Sequence, residues 1–281
     1  MAKLIGYCTK DSLYDGAFDN KAGWKAAGMG LIIKTSEDKL IVIDGGNRVD
    51  AEPFFELLQK YAGNERVTVD YWIITHPHND HYFCLRELCK NEDALNKLEV
   101  KNLMYHLPEW LDEMMPERCK VCREQLQSMA SALGANIVYP EANKKIFVGG
   151  AEIEPLYVFD GKEKVDNGNG LSIIFTVTDG KRIMITGDAF KASLRRMAEE
   201  YGDKLKSDIL QLPHHALCDT GVLEFYKCVD AQIAILPTCI AGYKAMIENE
   251  EYAAHNVANK YAENNAHIVY KSFEGNFEID L

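Results

Sequence analysis

Tyr71-Trp72-Ile73-Ile74-Thr75-His76-Pro77-His78-Asn79-Asp80-His81 is the stretch on which the reading of this 281-residue chain turns. Its apolar start, Tyr71 to Ile74, reads as a buried β-strand, and three histidines and an aspartate follow within six positions. Neutral imidazoles and a carboxylate converging from one short loop, with Pro77 holding the turn open, are the donors that zinc and similar divalent cations take. Surface histidines in a polar loop are the plain alternative. So dense a set directly after a core strand has no structural use that simpler residues could not serve. Asp80 also has the chemistry of a helix N-cap, which places the expected metal at the positive end of the helix that follows.

Two later strand ends repeat the device. Ile183-Met184-Ile185 opens into Thr186-Gly187-Asp188, where glycine turns the backbone and the aspartate points past the sheet edge. Asp188 alone could be a helix cap. Beside the first motif it reads as a carboxylate shared by two cations, which need an anion between them. Leu210-Gln211-Leu212-Pro213 then opens into His214-His215. His255, just before Asn256-Val257-Ala258-Asn259-Lys260-Tyr261, is a further candidate ligand, although a lone histidine there is also an ordinary cap or surface residue.

Outward from these motifs, Leu31 to Thr35 and Leu40 to Ile43 read as a hairpin around Ser36-Glu37-Asp38-Lys39, and Asp44-Gly45-Gly46 ends it. Helices are expected at about 51–62, from His81 to Cys89, at 119–133 ending at Gly134, and at 190–201, 221–228 and 249–264. Strands are expected at 102–105, 137–139, 145–148, 152–159, 171–177, 183–185, 208–212 and 231–237, with a terminal hairpin over 267–281. Residues 106–118 are irregular and apolar, either a wall of the substrate pocket or a loop packed on the core. Strands and then helices occur twice with no Pro-, Gly- or Ser-rich linker between. The expected architecture is therefore α/β: one domain over residues 1–281, with two mixed β-sheets sandwiched between helical layers.

Composition bounds the function. With 47% hydrophobic and 26% charged residues the chain has the make-up of a folded protein. A formal charge of −12 opposes broad affinity for nucleic-acid backbone or anionic membrane, so long nucleic acid is disfavoured, whereas a buried pit made net positive by divalent cations would attract a small anionic substrate. No stretch is long and apolar enough to span a bilayer, and Met1 to Tyr7 is too short for a secretion signal, so a cytoplasmic location is expected. Among eight cysteines, Cys119 and Cys122 form a C-x-x-C pair. With no second pair and no preceding strand, they read as two free thiols on a helix face.

The succession Ile43-Asp44-Gly45-Gly46, Thr75 to His81, Asn169-Gly170-Leu171-Ser172-Ile173-Ile174, Ile185-Thr186-Gly187-Asp188 and Leu212-Pro213-His214-His215 resembles the metallo-β-lactamase superfamily. Within it, the order is similar to the hydrolase domain of ComEC competence proteins and to the phosphorylcholine esterases, over about residues 28–281. The resemblance implies a four-layer αββα sandwich and two divalent metal ions, zinc first, with manganese or iron as alternatives. It implies one metal on His76, His78 and one of His214 or His215, a second on Asp80, His81 and His255, and Asp188 between them. Asp44 would orient the ligand loop, with Thr75 and Asn169 in the same supporting shell.

Three departures stand out. Tyr82-Phe83-Cys84 replaces the small glycines usual after the signature histidine, which would crowd the pocket floor. Ala216-Leu217 replaces Gly-Ser after the histidine pair. The superfamily's middle histidine is absent, with Asn167 and Asn169 in that region.

A metal-bridging hydroxide makes hydrolysis the expected reaction, on a phosphodiester or phosphoester, with Asp80, Asp188, His214 and His215 as catalytic residues. The histidine of the pair that does not bind metal would contact substrate or protonate the leaving group. Lactone, thioester or lactam hydrolysis is the enzymatic alternative, and an iron-dependent redox enzyme the non-hydrolytic one. A binding module that had kept only the fold would be expected to have lost ligands.

Overall fold

The computed structural model describes residues 1–16, 28–162, 168–216, 222–250 and 256–281. The chain runs β1 (Lys3–Gly6), β2 (Gly30–Lys34), β3 (Leu40–Asp44), α1 (Ala51–Ala62), β4 (Val67–Val69), β5 (Tyr71–Ile73), α2 (Asn79–Leu88), α3 (Glu92–Lys97), β6 (Leu98–Val100) and β7 (Asn102–Met104). Then come α4 (Pro116–Leu133), β8 (Asn136–Val138), β9 (Ile146–Val148), β10 (Ala151–Tyr157), β11 (Ile174–Asp179), β12 (Lys181–Ile185) and α5 (Lys191–Tyr201). β13 (Ile209–Gln211), α6 (Leu223–Val229), β14 (Ile233–Leu236), α7 (Ile240–Glu248), α8 (Val257–Asn265), β15 (Ile268–Lys271) and β16 (Phe277–Asp280) follow.

One seven-stranded sheet has the order β16-β1-β2-β3-β5-β7-β8, the other β15-β14-β13-β12-β11-β10-β9, and β4 with β6 makes a two-stranded ribbon. Each large sheet is mixed. In the first, β16, β1, β2 and β3 pair antiparallel, whereas β3, β5, β7 and β8 are parallel. In the second, β9 to β12 are antiparallel and β12 to β15 parallel. The parallel halves bring the carboxyl ends of β3 and β5, and of β12 and β13, to a common edge of their sheets, where open α/β sheets place their ligands.

The nearly continuous apolar runs follow from burial on both faces. Ile41, Ile43 and Ile73 of the first sheet meet Ile153, Phe175, Ile183, Ile185 and Ile209 of the second in an inner layer. Their sequence neighbours Val42, Trp72, Met184 and Leu210 point the other way, into layers that hold Phe54 and Leu58 of α1, Leu85 of α2, Leu194 of α5 and Phe225 of α6. The result is two large mixed sheets flanked by helices, as the strand and helix pattern implied. Each such side chain contributes about 1.5–3 kcal/mol by leaving water, so the sheet tips that carry the polar loops rest on a stiff base.

The hairpin β2–β3 forms as read, and α1 and α4 end at Gly63 and Gly134 in the left-handed conformation. Other expectations need correction. α2 starts at Asn79 with His78 as the extended N-cap residue, so Asp80 lies in the first turn and is not the cap, because the strand-to-helix turn closes two residues earlier. β4, α3 and β6 are too short for a period to establish itself and were missed. Within 106–118, Glu109–Glu113 is a short 3-10 helix and α4 already begins at Pro116. α7 takes the place of part of the connection expected before a helix at 249, and the last helix is confined to Val257–Asn265.

The terminal hairpin is also wrong. β15 extends the second sheet beside β14, and β16 pairs with β1 in the first, so the C-terminus ties the two sheets together. Cys119 and Cys122 are free and buried on α4. No helix among the described residues is long and apolar enough to cross a membrane.

Candidate metal centre

Asp44 ends β3 in the left-handed region at φ 56°, followed by Gly45 and Gly46, and this turn aims its carboxylate along the edge of the sheet. One oxygen accepts the Thr75 backbone N–H at 2.8 Å; the other lies 2.8 Å from Thr75 Oγ1 and 2.7 Å from His81 Nδ1. The hydrogen on Nδ1 of His81 therefore points at Asp44, which leaves the Nε2 lone pair facing inward. Thr75 Oγ1, donating to Asp44, is 3.1 Å from Nδ1 of His76 and fixes that ring the same way. On the second sheet, Nδ1 of His215 donates to the Pro237 carbonyl at 3.0 Å, again turning Nε2 inward.

These inward nitrogens meet two carboxylates. Nε2 of His215 lies 3.0 Å from Asp80 Oδ2 and 3.3 Å from Asp188 Oδ2. Nε2 of His81 is 3.3 Å from Asp188 Oδ1 and 3.7 Å from Asp80 Oδ2, and Nε2 of His76 is 3.4 Å from Asp188 Oδ2. Although buried, the Nε2 atoms of His76, His81 and His215 have no hydrogen-bond partner among the described residues. Nitrogen lone pairs facing carboxylate oxygens, nearly all of them buried, are mutually repulsive unless positive charge sits between them. The donors form two groups able to hold a divalent metal, Asp80-His81-Asp188-His215 and His76-His78-Asp188, sharing Asp188.

The electrostatics point the same way. Burial disfavours a charged His215, yet Asp188 and Asp80 outweigh it and push its pKa up to about 10. Burial likewise opposes ionisation of Asp188, and His215, His81 and His76 overcome it, holding the carboxyl well below its ordinary range. His76 and His78 are pushed down, first by burial and then by the neighbouring imidazoles His81 and His76 respectively. The cluster thus draws positive charge to the Asp80–Asp188 carboxylates, which is the demand a divalent cation meets.

The second sheet's tip is fastened by residues to which the sequence reading gave no role. Oε1 of the fully buried Gln211 accepts the N–H groups of Thr186 and Gly187, both at 2.9 Å, and its Nε2 donates to the Gly187 carbonyl at 3.1 Å. Ser172 Oγ accepts the Asp188 N–H at 3.1 Å. Gly187 has φ 53°, and a Cβ there would stand 2.9 Å from Cβ of Thr75, so the close approach of the two tips requires glycine. A glutamine inside an otherwise apolar strand, Ile209-Leu210-Gln211-Leu212, was the available signal.

His214, His215 and Ala216 are all left-handed, at φ 50°, 56° and 54°. Such a run costs non-glycine residues about 1–2 kcal/mol each, and strain of this kind gathers at functional loops.

The structure brings His76, His78, Asp80, His81, Asp188 and His215 together, with Asp44 and Thr75 behind them. His215 joins Asp80 and His81, whereas the expected grouping put one of the pair with His76 and His78. His214 stands apart: its Nε2 is 4.0 Å from Asp188 Oδ2 and accepts from Asn169 Nδ2 at 3.0 Å. Burial pushes its pKa down to about 4. His255, with Asn167 and Leu217, lies outside the described residues.

Tyr82, Phe83 and Cys84 do not form a floor under the ligands. Tyr82 donates to Gln125 on α4 at 2.8 Å, Phe83 lies under Arg48 and Arg86, and Cys84 packs beside Gly45. In segment 106–118, Trp110 stacks on Phe159, and Arg118 reaches the centre, with Nη1 donating to Nε2 of His78 at 3.0 Å.

Comparison with known proteins agrees with this geometry. The family model described as "Metallo-beta-lactamase superfamily" matches residues 28–236. Among solved structures, the metallo-beta-lactamase fold protein YhfI from Bacillus subtilis is similar at TM-score 0.57 and 13% identity, over 99% of this chain and 100% of that one. CmlA, a diiron beta-hydroxylase from Streptomyces venezuelae, is similar at TM-score 0.56 and 9% identity, over 99% of this chain and 54% of its own. Tm1679, described as a metal-dependent hydrolase of the beta-lactamase superfamily, is similar at TM-score 0.52 and 11% identity, over 99% of both chains. At such identities the likeness is one of fold. No curated protein sequence matches.

Proposed function

Because the chain belongs to the metallo-beta-lactamase superfamily, whose members are for the most part metal-dependent hydrolases, we propose that it hydrolyses a phosphodiester or phosphoester of a small anionic molecule. His76, His78, Asp80, His81, Asp188 and His215 would hold two divalent ions, zinc first. The observation that carries this reading is the set of buried Nε2 atoms turned without hydrogen bonds toward two carboxylates. Ions bound there supply Lewis acidity and an acidified water near neutral pH.

The chain's own residues do the rest. Asp44, Thr75 and the Pro237 carbonyl fix which nitrogen each ring presents. Asp80, whose side chain is 21% exposed, is the carboxylate with access to solvent and can orient water at the rim. Asn169 donates to Nε2 of His214, so the His214 hydrogen sits on Nδ1, which has no partner among the described residues and is free to donate to a substrate oxygen. Buried positive charge in a chain of net −12 favours compact anions and repels long nucleic acid.

The order of motifs supports the branch of ComEC-type hydrolase domains and phosphorylcholine esterases. The same centre suits attack on lactone, thioester or lactam carbonyls, and the likeness in fold to a diiron enzyme keeps iron-dependent redox chemistry as the second reading. Purification followed by metal quantification and assays on bis-p-nitrophenyl phosphate, a phosphorylcholine ester and a simple lactone separates them. Phosphoester turnover with zinc or manganese is expected. Turnover of the lactone alone overturns the substrate class, and redox-active iron with no hydrolysis overturns the reaction.

A further inference from the structure

Arg118 is placed beside the centre by a helix that packs directly on the ligand loop. α4 buries Cys119 and Cys122; Tyr82 Oη donates to Gln125 Oε1 at 2.8 Å, and Cys122 Sγ lies 3.8 Å from the Pro77 carbonyl. Arg118, one turn earlier, is exposed and reaches His78. On the far side stands Gly168, where a Cβ would lie 2.7 Å from His78 Nε2 and 3.5 Å from Arg118 Nη1. Only a glycine lets the backbone lie this close to the pair.

The other arginines with defined contacts are spoken for. Arg123 pairs with Asp112, Arg182 with Glu154, and Arg196 with Asp160 and Glu200, while Arg48 and Arg86 cover Phe83. Arg118 has no carboxylate partner among the described residues and donates to a neutral imidazole.

That bond conflicts with a metal on His78. Guanidinium has only donors, so the contact needs the Nε2 lone pair. If His78 gives Nε2 to a cation, the lone pair is consumed. If it gives Nδ1, the hydrogen moves to Nε2, and two donors face each other. Either way the loaded centre leaves Arg118 with no acceptor, next to the half-buried edge of the metal group. An oxygen-rich anion satisfies it, and guanidinium binds such groups through two parallel bonds.

Resting on the dinuclear reading above, we propose that Arg118 recognises an anionic oxygen group of the substrate, phosphate or carboxylate, at the His78 edge and sets the preference for anionic over neutral esters. The test uses zinc-loaded protein and its Arg118→Ala and Arg118→Lys variants, titrated calorimetrically with inorganic phosphate and with acetate. Arg118→Ala should weaken binding of one of these anions about 10–100-fold, as expected for loss of a charge-assisted pair, with bound zinc unchanged. Arg118→Lys should recover only part of it, since lysine lacks the fork.

On any anionic ester that the unaltered protein turns over, Arg118→Ala should raise KM with kcat nearly constant. The anion whose binding falls identifies the group. Equal binding of both anions by the alanine variant overturns the proposal, as does loss of zinc in parallel with anion binding, which would make Arg118 a support for His78. Arg118-dependent anion binding in a protein that hydrolyses none of the three test esters would leave the anion site standing, and remove the hydrolase reading together with the ester preference.

Discussion

The two donor groups that share Asp188 are built differently. The inner one, Asp80-His81-Asp188-His215, has four donors, and both of its imidazoles are anchored through Nδ1, His81 to Asp44 and His215 to the Pro237 carbonyl. The outer one, His76-His78-Asp188, has three donors, and the half-buried His78 ring has, among the described residues, its hydrogen bond from the exposed Arg118. A full set of protein ligands marks a site that holds its ion, and a vacant position marks one that admits water or substrate. On the dinuclear reading proposed above, the contrast would give retention to the inner group and substrate entry to the outer.

The sharpest way to break the contrast is to remove what the groups share. Asp188→Ala leaves His76, His81 and His215 without the carboxylate. At about 3–5 kcal/mol for losing one partner of a buried charged set, metal binding should weaken roughly 10²–10⁴-fold in both groups. Elemental analysis after dialysis should find neither equivalent, and retention of one would show that the groups are independent.

Removing one donor from each side should separate them. His78→Ala is expected to lose one of the two metal equivalents and keep the other, whereas His215→Ala should empty the inner group and leave the outer weakly loaded. Equal retention in both variants would erase the distinction. Asp44→Asn tests the inner anchor: supporting carboxylates of this kind are worth about 10–100-fold in metal affinity or activity, and chelator competition measures it.

A smaller effect tests how the two sheets meet. Gly187→Ala puts a methyl group against Thr75 in a left-handed backbone and should cost about 1–3 kcal/mol in denaturant unfolding. The smallest concerns His106, which lies against Phe159. Burial pushes the His106 pKa below its ordinary 6.5, with its bond to the Phe159 carbonyl acting the other way. The unfolded chain therefore binds that proton more readily, and stability should hold above pH ~6.5 and decline as pH falls below it. His106→Gln should flatten this dependence in pH-resolved unfolding, and an unchanged slope would exclude His106 as its source.

The centre was legible because its donors follow apolar runs at the ends of parallel strands: Ile74 before His76, Ile185 before Asp188, Leu212 before the pair that contains His215. Burial on both faces writes that pattern into the local sequence. Pairing between distant strands leaves no such mark, so β15 and β16 read as one hairpin although they belong to opposite sheets. The partition of His214 from His215 depends on three left-handed residues that no local propensity favours. Gln211 was visible as a polar interruption, but its role in pinning the Gly187 turn needs the neighbouring strand to be in place. Arg118 had no signal, since nothing in its helix indicates what the exposed face reaches.

Anomalous diffraction from crystals of the metal-loaded protein tests the central claim most directly. Two peaks about 3.5–4 Å apart, on either side of Asp188 and within bonding distance of the Nε2 atoms of His76, His81 and His215, are the expected result. A single peak, or metal bound away from Asp188, would contradict it.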